Sequence, residues 1–226
     1  MNPPGLFITG TDTGVGKTYV TSLIARQLVI HGKRVGVYKP AASGFISQTE
    51  SDAHTLWQAA GRPLRLDDVC PQQFPAALAP HQAARVDGRE IDTKLLRAGL
   101  EPWKSYAEIV LVEGVGGLMS PLSEEDYVAD LAFEFGYPVI VVAPNRIGTI
   151  NQTLQTLITA STFRGGLELA GVVLNDLDDG EDASRETNWQ ELEQRCVPPL
   201  VARVGRDRLE AETPVDWVGL AGREGV

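Results

Sequence analysis

The stretch Gly5-Leu-Phe-Ile-Thr-Gly-Thr-Asp-Thr-Gly-Val-Gly-Lys-Thr18 constrains this chain more than any other. The apolar run Leu6–Ile8 predicts a buried strand, and Lys17-Thr18 opens a segment with helical periodicity. Between them, Gly10, Gly14 and Gly16 let the backbone turn tightly and aim its N–H groups at an anion. The helix start adds partial positive charge, Lys17 reaches outer phosphates and the Thr18 hydroxyl suits Mg²⁺. Five residues separate Gly10 from Gly16, one more than in the common phosphate-loop pattern. A glycine-rich turn with a surface lysine is the bland alternative. The order of strand, glycines, Gly-Lys-Thr and amphipathic helix argues against it.

With 226 residues, the chain is expected to form one α/β domain over 1–226, with a Pro-rich excursion at 63–91 and a weakly determined tail at 212–226. A net charge of −10 argues against a nucleic-acid or anionic-membrane surface as the main partner. Cys70 and Cys196 are isolated, so neither a disulfide framework nor a thiolate metal site is expected. No leader pattern opens the chain, and no apolar run approaches the roughly 18 residues of a membrane span. The expectation is a soluble, cytoplasmic protein.

Val20, Leu23, Ile24 and Leu28 mark the buried stripe of a helix that stops at Gly32, and Arg34–Tyr38 reads as the second strand. Strand, helix and strand at this spacing form a right-handed βαβ unit. The fold expected is therefore a P-loop NTPase-like α/β fold, a mostly parallel central sheet with helices on both faces. In such a sheet ligands bind beyond the carboxyl ends of the strands. Lys39 and Ser43, in the irregular loop after the second strand, should then face the phosphate loop.

Ser51 caps a short helix whose first turn holds Asp52. Asp52 serves either the helix dipole or a Mg²⁺ site, and spacing leaves both readings open. Pro63, Pro71, Pro75 and Pro80 predict an extended excursion, within which His81 is read as structural. One capped helix is expected from Asp92 or Thr93 to about Tyr106. The next buried strand, from Glu108, places Glu113 at its end, where nucleotide-hydrolysing and nucleotide-transferring enzymes keep a metal-orienting acid. Gly114-Val-Gly-Gly117 frees backbone N–H groups for a ligand.

Further strands are expected at Pro138–Ala143, Leu169–Leu174 and Pro199–Val204. A helix from about Thr149 would bury Ile150, Leu154, Leu157 and Ile158, and its start is a second anion-friendly terminus. Residues 178 to 188 read as a solvated loop leading to a helix near Trp189–Arg195. Asn175 offers a donor and an acceptor to a purine edge.

In combination, Gly10–Thr18, Lys39-Pro-Ala-Ala-Ser-Gly44, Glu113-Gly-Val-Gly-Gly117 and Asn175-Asp176 resemble the dethiobiotin synthetase family, in order over about three-quarters of the chain. The resemblance implies ATP-dependent, ring-closing carboxylation of 7,8-diaminopelargonic acid with CO₂, through a carbamate and a carbamic-phosphoric anhydride. It implies Lys39, Lys17 and Thr13 as catalytic residues, and Thr18, Asp52 and Glu113 as Mg²⁺ ligands. Gly14, Val15, Gly16, Lys17, Thr18, Asp52, Glu113, Gly116 and Asn175 would hold Mg-ATP. Ser43, Gly117 and Asn151 would hold the diamine, Asn151 from the neighbouring subunit of a homodimer.

Two departures stand out. Gly14 replaces an acidic residue found among relatives, and Ala202-Arg-Val-Gly205 lacks the Ile-Pro pair expected beside the base. A partitioning-type ATPase switch is disfavoured by Asp12, where such proteins carry lysine. A cobyrinate-type amidoligase would need a glutaminase domain for which this chain has no room. A non-catalytic nucleotide-binding module is the third alternative, and the set Lys17, Thr18, Glu113 weighs against it.

Overall fold

Strand β1, Gly5–Gly10, is buried along its whole length because both its faces are covered. The computed structural model describes residues 3–45, 47–177, 180–206, 211 and 214–222. Helix α1 (Lys17–Ile30) follows, burying Val20, Leu23, Ile24 and Leu28 as expected and stopping before Gly32 at φ +76°. Strand β2 is Val35–Tyr38. The loop after it is less irregular than expected, since Ala42–Ser43 forms a short strand β3. Helix α2 spans Asp52–Ala59, with the Ser51 side chain accepting from the His54 N–H at 3.2 Å.

The excursion departs from its expected extended form. It contains helix α3 (Leu66–Val69), strand β4 (Gln73–Phe74) paired in parallel with β3, and helix α4 (Pro80–Val86). Pro80 opens α4, where a missing N–H costs nothing. The single helix expected over 92–106 is two, α5 (Thr93–Ala98) and α6 (Glu101–Tyr106), broken around Gly99-Leu100 with Pro102 in the first turn of the second.

Strand β5 runs Ile109–Gly117, so Glu113 lies within it and not at its end. Helix α7 (Val128–Phe135), to which sequence reading assigns no element, is closed by Asp130 accepting from the Tyr127 N–H at 2.8 Å and by Gly136 at φ +66°. Strand β6 is Val139–Pro144, α8 is Thr149–Thr162 and β7 is Leu169–Asn175. Helix α9 (Asn188–Glu193) and strand β8 (Leu200–Val204) follow. A 3₁₀ turn at Ala183–Glu186 sits inside the segment read as a loop, of which residues 178 and 179 lie outside the described residues. Within the tail, 214–222 are described and carry helix α10 (Trp217–Ala221); Trp217 Nε1 donates to Gln27 Oε1 at 2.6 Å.

Among the described residues, six strands form one parallel sheet in the order β2-β5-β1-β6-β7-β8. Helix α1 packs on β1, β2 and β5, α7 on β5, α8 on β6 and α9 on β8. With β1 between β5 and β6, the loops leaving the carboxyl ends of β1, β2 and β5 gather at one edge of the sheet, where such folds bind ligands.

Candidate active site

The β1–α1 loop reaches its shape through Gly14 at φ +74° and Gly16 at φ +85°. Gly16 is the N-cap of α1 and offers no side chain, so the first N–H groups of that helix have no side-chain cap. Within the loop the Thr13 N–H donates to Asp12 Oδ1 at 2.7 Å, and Lys17 Nζ donates to the Asp12 carbonyl at 2.9 Å. Val15 is buried, and its carbonyl accepts from Asn175 Nδ2 at 3.0 Å.

The β1–β5 pairing is irregular at this point. Ile8 faces Glu113 and Gly10 faces Gly117, so β5 carries extra residues against β1. Such a bulge re-aims the strand. It leaves Gly116 at φ +67° against the loop and Glu113 fully buried beneath it.

Lys39, only 3% exposed, is fixed at the end of β2 by its N–H donating to the Val69 carbonyl at 2.7 Å. Its ammonium donates to Asp52 Oδ2 at 2.5 Å and to Glu113 Oε1 at 2.6 Å. Thr18 Oγ1 donates to the same Glu113 oxygen at 2.7 Å. Asp52, in the first turn of α2, therefore meets a specific cation as well as the helix dipole.

Charge and burial act in opposite directions here. Burial pushes the Lys17 ammonium down to about 8, with Glu113 opposing and Lys39 adding to the shift. Burial would also lower Lys39, but Glu113 and Asp52 outweigh it and hold that ammonium above its ordinary range. For Asp52, burial would raise the carboxyl; the Lys39 charge prevails and holds it below the usual carboxylate range.

A cleft of about 700 Å³ collects Thr13, Gly14, Gly16, Lys17, Thr18, Lys39, Ser43, Asp52 and Gly116. Sequence reading missed its far wall, formed by Ala77-Leu78-Ala79-Pro80 and by Val115, Ser120 and Pro121. Pro80 and His81 were the available signal for the first of these; Pro80 lines the cleft, while His81 lines a separate cavity of about 280 Å³. Ser43 Oγ donates to the Leu78 carbonyl at 2.6 Å and so ties that wall to the β2 end.

Five predicted residues do not line this cleft: Val15 and Glu113, both buried, and Gly117, Asn151 and Asn175. Gly117 lines an adjoining cavity of about 470 Å³ that reaches α8, and its N–H donates to Ser120 Oγ at 2.9 Å. Asn151 is exposed on α8. Asn175 is 1% exposed; with its Nδ2 committed to Val15, its Oδ1 is buried without a hydrogen-bond partner. The neighbouring Asp176 is held by Asn145 Nδ2 at 2.6 Å and Arg203 Nε at 3.1 Å.

The residues present fit Mg²⁺. Thr18, Asp52 and Glu113 supply hard oxygen donors, and Glu113 Oε2 is a buried acceptor with no partner. Among the described residues no cluster of three or more His, Cys, Asp or Glu could cage a metal ion.

A family model described as an AAA domain matches residues 4–213. The ATP-dependent dethiobiotin synthetase BioD of Rhodopirellula baltica is 43% identical over 213 residues, covering 88% of this chain and 82% of the relative. The protein of the same name from Bacillus subtilis strain 168 is 35% identical over 198 residues, covering 87% and 85%. Among solved structures, the signal recognition particle receptor FtsY of Elizabethkingia anophelis aligns at TM-score 0.51 and 16% identity, over 89% of this chain and 58% of that one. The cell division protein FtsY of Thermotoga maritima aligns at TM-score 0.50 and 15% identity, over 98% and 69%. At those identities the likeness is one of fold.

Proposed function

The chain belongs to the dethiobiotin synthetase family, and from that premise we propose how its own residues carry the family's reaction. The enzyme is an ATP-dependent cyclo-ligase. One amine of 7,8-diaminopelargonic acid adds to CO₂ and loses a proton, giving a carbamate. A carbamate oxygen attacks the γ-phosphorus and ADP leaves; the second amine then attacks the anhydride carbon and loses a proton, the C–O bond breaks with its oxygen and electron pair leaving in phosphate, and the ureido ring closes.

An anionic carbamate approaching a polyanion needs cations placed beforehand. Lys17 takes the outer phosphates, and the backbone from Gly14 to Thr18, Val15 included, cradles the chain with help from Gly116. Lys39 and Thr13 hold the carbamate. Ser43 has its proton on Leu78, so its oxygen accepts from a substrate amine N–H. The Gly117 backbone lies on the substrate side. Thr18, Asp52 and Glu113 would hold Mg²⁺, which neutralises charge on the phosphates when bound. Asn175 Oδ1, left without a partner, accepts from an exocyclic amine of the base.

The working form is a homodimer in which Asn151 serves the neighbouring site. It acts in the cytoplasm, without nucleic acid or membrane. Its net charge is −10, and no helix among the described residues is long and apolar enough to cross a membrane.

The observation that carries this reading is the convergence of Lys17, Lys39, Thr18 and Asp52 on one cleft above the buried Glu113. The test is incubation with the diamine, bicarbonate and Mg-ATP. Dethiobiotin and ADP should form in equal amounts and only with the diamine present. ATP turnover independent of the diamine, without a ureido product, overturns it.

A further inference from the structure

Lys39 sits where a metal ion would be expected to sit. Its ammonium lies 2.5 Å from Asp52 Oδ2 and 2.6 Å from Glu113 Oε1, and Thr18 donates to that same Glu113 oxygen. The three side chains that offer oxygen to a divalent cation are thus gathered around a lysine. Mg²⁺ draws its ligand oxygens to about 2.0–2.1 Å. A divalent ion held by Asp52 and Glu113 would compete with the ammonium for the same oxygens, and the two positive charges would repel at that range.

The backbone dictates which part of Lys39 can move. Its N–H is held by the Val69 carbonyl at 2.7 Å, Pro40 follows directly, and Ala42 pairs with Gln73 in the β3–β4 ribbon. The main chain is pinned on both sides, while the four-carbon side chain lines the cleft together with Ser43, Gly44 and Leu78. Rotation about the side chain would take the ammonium off the carboxylates and into the cleft that it shares with Thr13, its partner on the carbamate in the reading above. The counter-charge also offsets the cost of burying Glu113 fully, since a buried carboxylate stripped of its partner is strongly destabilising.

We propose that Lys39 is the resident counter-ion of the Asp52–Glu113 pair and is exchanged for the divalent cation. Arrival of the metal with the nucleotide then releases the ammonium to bind the substrate anion. The exchange makes capture of the carbamate conditional on a loaded nucleotide site. It rests on the metal-site reading given above, and the test separates the two.

Free Mn²⁺ is counted by electron paramagnetic resonance against the whole protein saturated with a non-hydrolysable ATP analogue. Glu113→Gln should weaken Mn²⁺ binding about tenfold or more, and Lys39→Met should tighten it about tenfold or more, because a competing cation has gone. If Glu113→Gln leaves Mn²⁺ binding unchanged, the metal-site reading falls and the exchange with it. If Glu113→Gln weakens binding but Lys39→Met leaves it equal or weaker, the metal site stands and the exchange is overturned. A second measurement needs no variant. In the ¹⁵N-lysine-labelled wild type, the slowest-exchanging ammonium signal should move or vanish when Mg²⁺ is added to protein holding a non-hydrolysable ATP analogue. A signal indifferent to Mg²⁺ overturns the proposal.

Discussion

Gly16 and Gly14 look alike in sequence and differ in what surrounds them. Both have positive φ, +85° and +74°, so an alanine at either costs about 1–2 kcal/mol in backbone strain. A Cβ on Gly16 would also collide with the Asn175 amide, whereas one on Gly14 meets nothing within 4 Å. Gly16→Ala should therefore displace Asn175 from Val15, a hydrogen bond worth about 1 kcal/mol, and disturb the loop and the base side together. Thermal melts and calorimetric ATP titration should show the larger loss of stability and of affinity for Gly16→Ala, and equal losses in the two variants would refute the steric argument. Lys17, Thr18 and Lys39 were legible because their motifs fix position along one short piece of chain. Sequence spacing leaves both readings of Asp52 open because its partner, Lys39, is met only through the fold. The orientation of the Asn175 amide depends on a carbonyl 160 positions away, which no local pattern encodes.

At the scale of elements, what could be read were the strands and the helices with strong apolar stripes. The departures lie at proline and glycine, in opposite directions: an extended form over 63–91 treats Pro80 as a breaker, whereas a single helix over 92–106 runs through Gly99 and Pro102. Pro80 and Pro102 start helices, whereas the Gly99-Leu100 step divides one. For α8 the error was one of phase. Its buried side is Thr149, Thr153, Leu157 and Ala160, and Ile158 is 62% exposed. Helix α7 is joined to α5 through Arg97, which donates to Glu134 at 2.6 Å and to Asp126 at 2.8 Å. The hydrogen bond from Arg97 holds the Asp126 carboxyl below its ordinary range. Because the folded-state value is the lower one, this contribution to stability is complete above the unfolded carboxylate value, about 3.9, and is lost as pH falls through the folded value. The difference in melting temperature between wild type and Arg97→Met should thus be widest near neutrality and shrink with acidification below about pH 4. A difference that stays constant with pH would assign Arg97 to packing instead of charge.

At the scale of the whole molecule, the charge distribution argues for how two copies would meet. Each chain carries −10, so association of identical chains opposes like charges unless the contact is neutral. Helix α8 has no charged residue in its 14 positions, yet Asn151 and Ile158 are exposed on it, as is Ile147 just before it at 79%. An uncharged, partly apolar face on an acidic molecule is the surface least penalised by self-association. The same helix adjoins the cavity containing Gly117, so a partner seated there stands next to the substrate half of the site. If the homodimer uses this face, Ile158→Glu should convert the protein to monomers in sedimentation and weaken diamine binding while ATP affinity is kept. Asn151→Ala should weaken diamine binding without dissociating the dimer. Raising ionic strength from about 0.01 M to 0.15 M should strengthen association, because the Debye length contracts from roughly 30 to 8 Å and screens the repulsion. A dimer that weakens with salt, or that survives Ile158→Glu, would place the interface on another surface, one held by charge pairs.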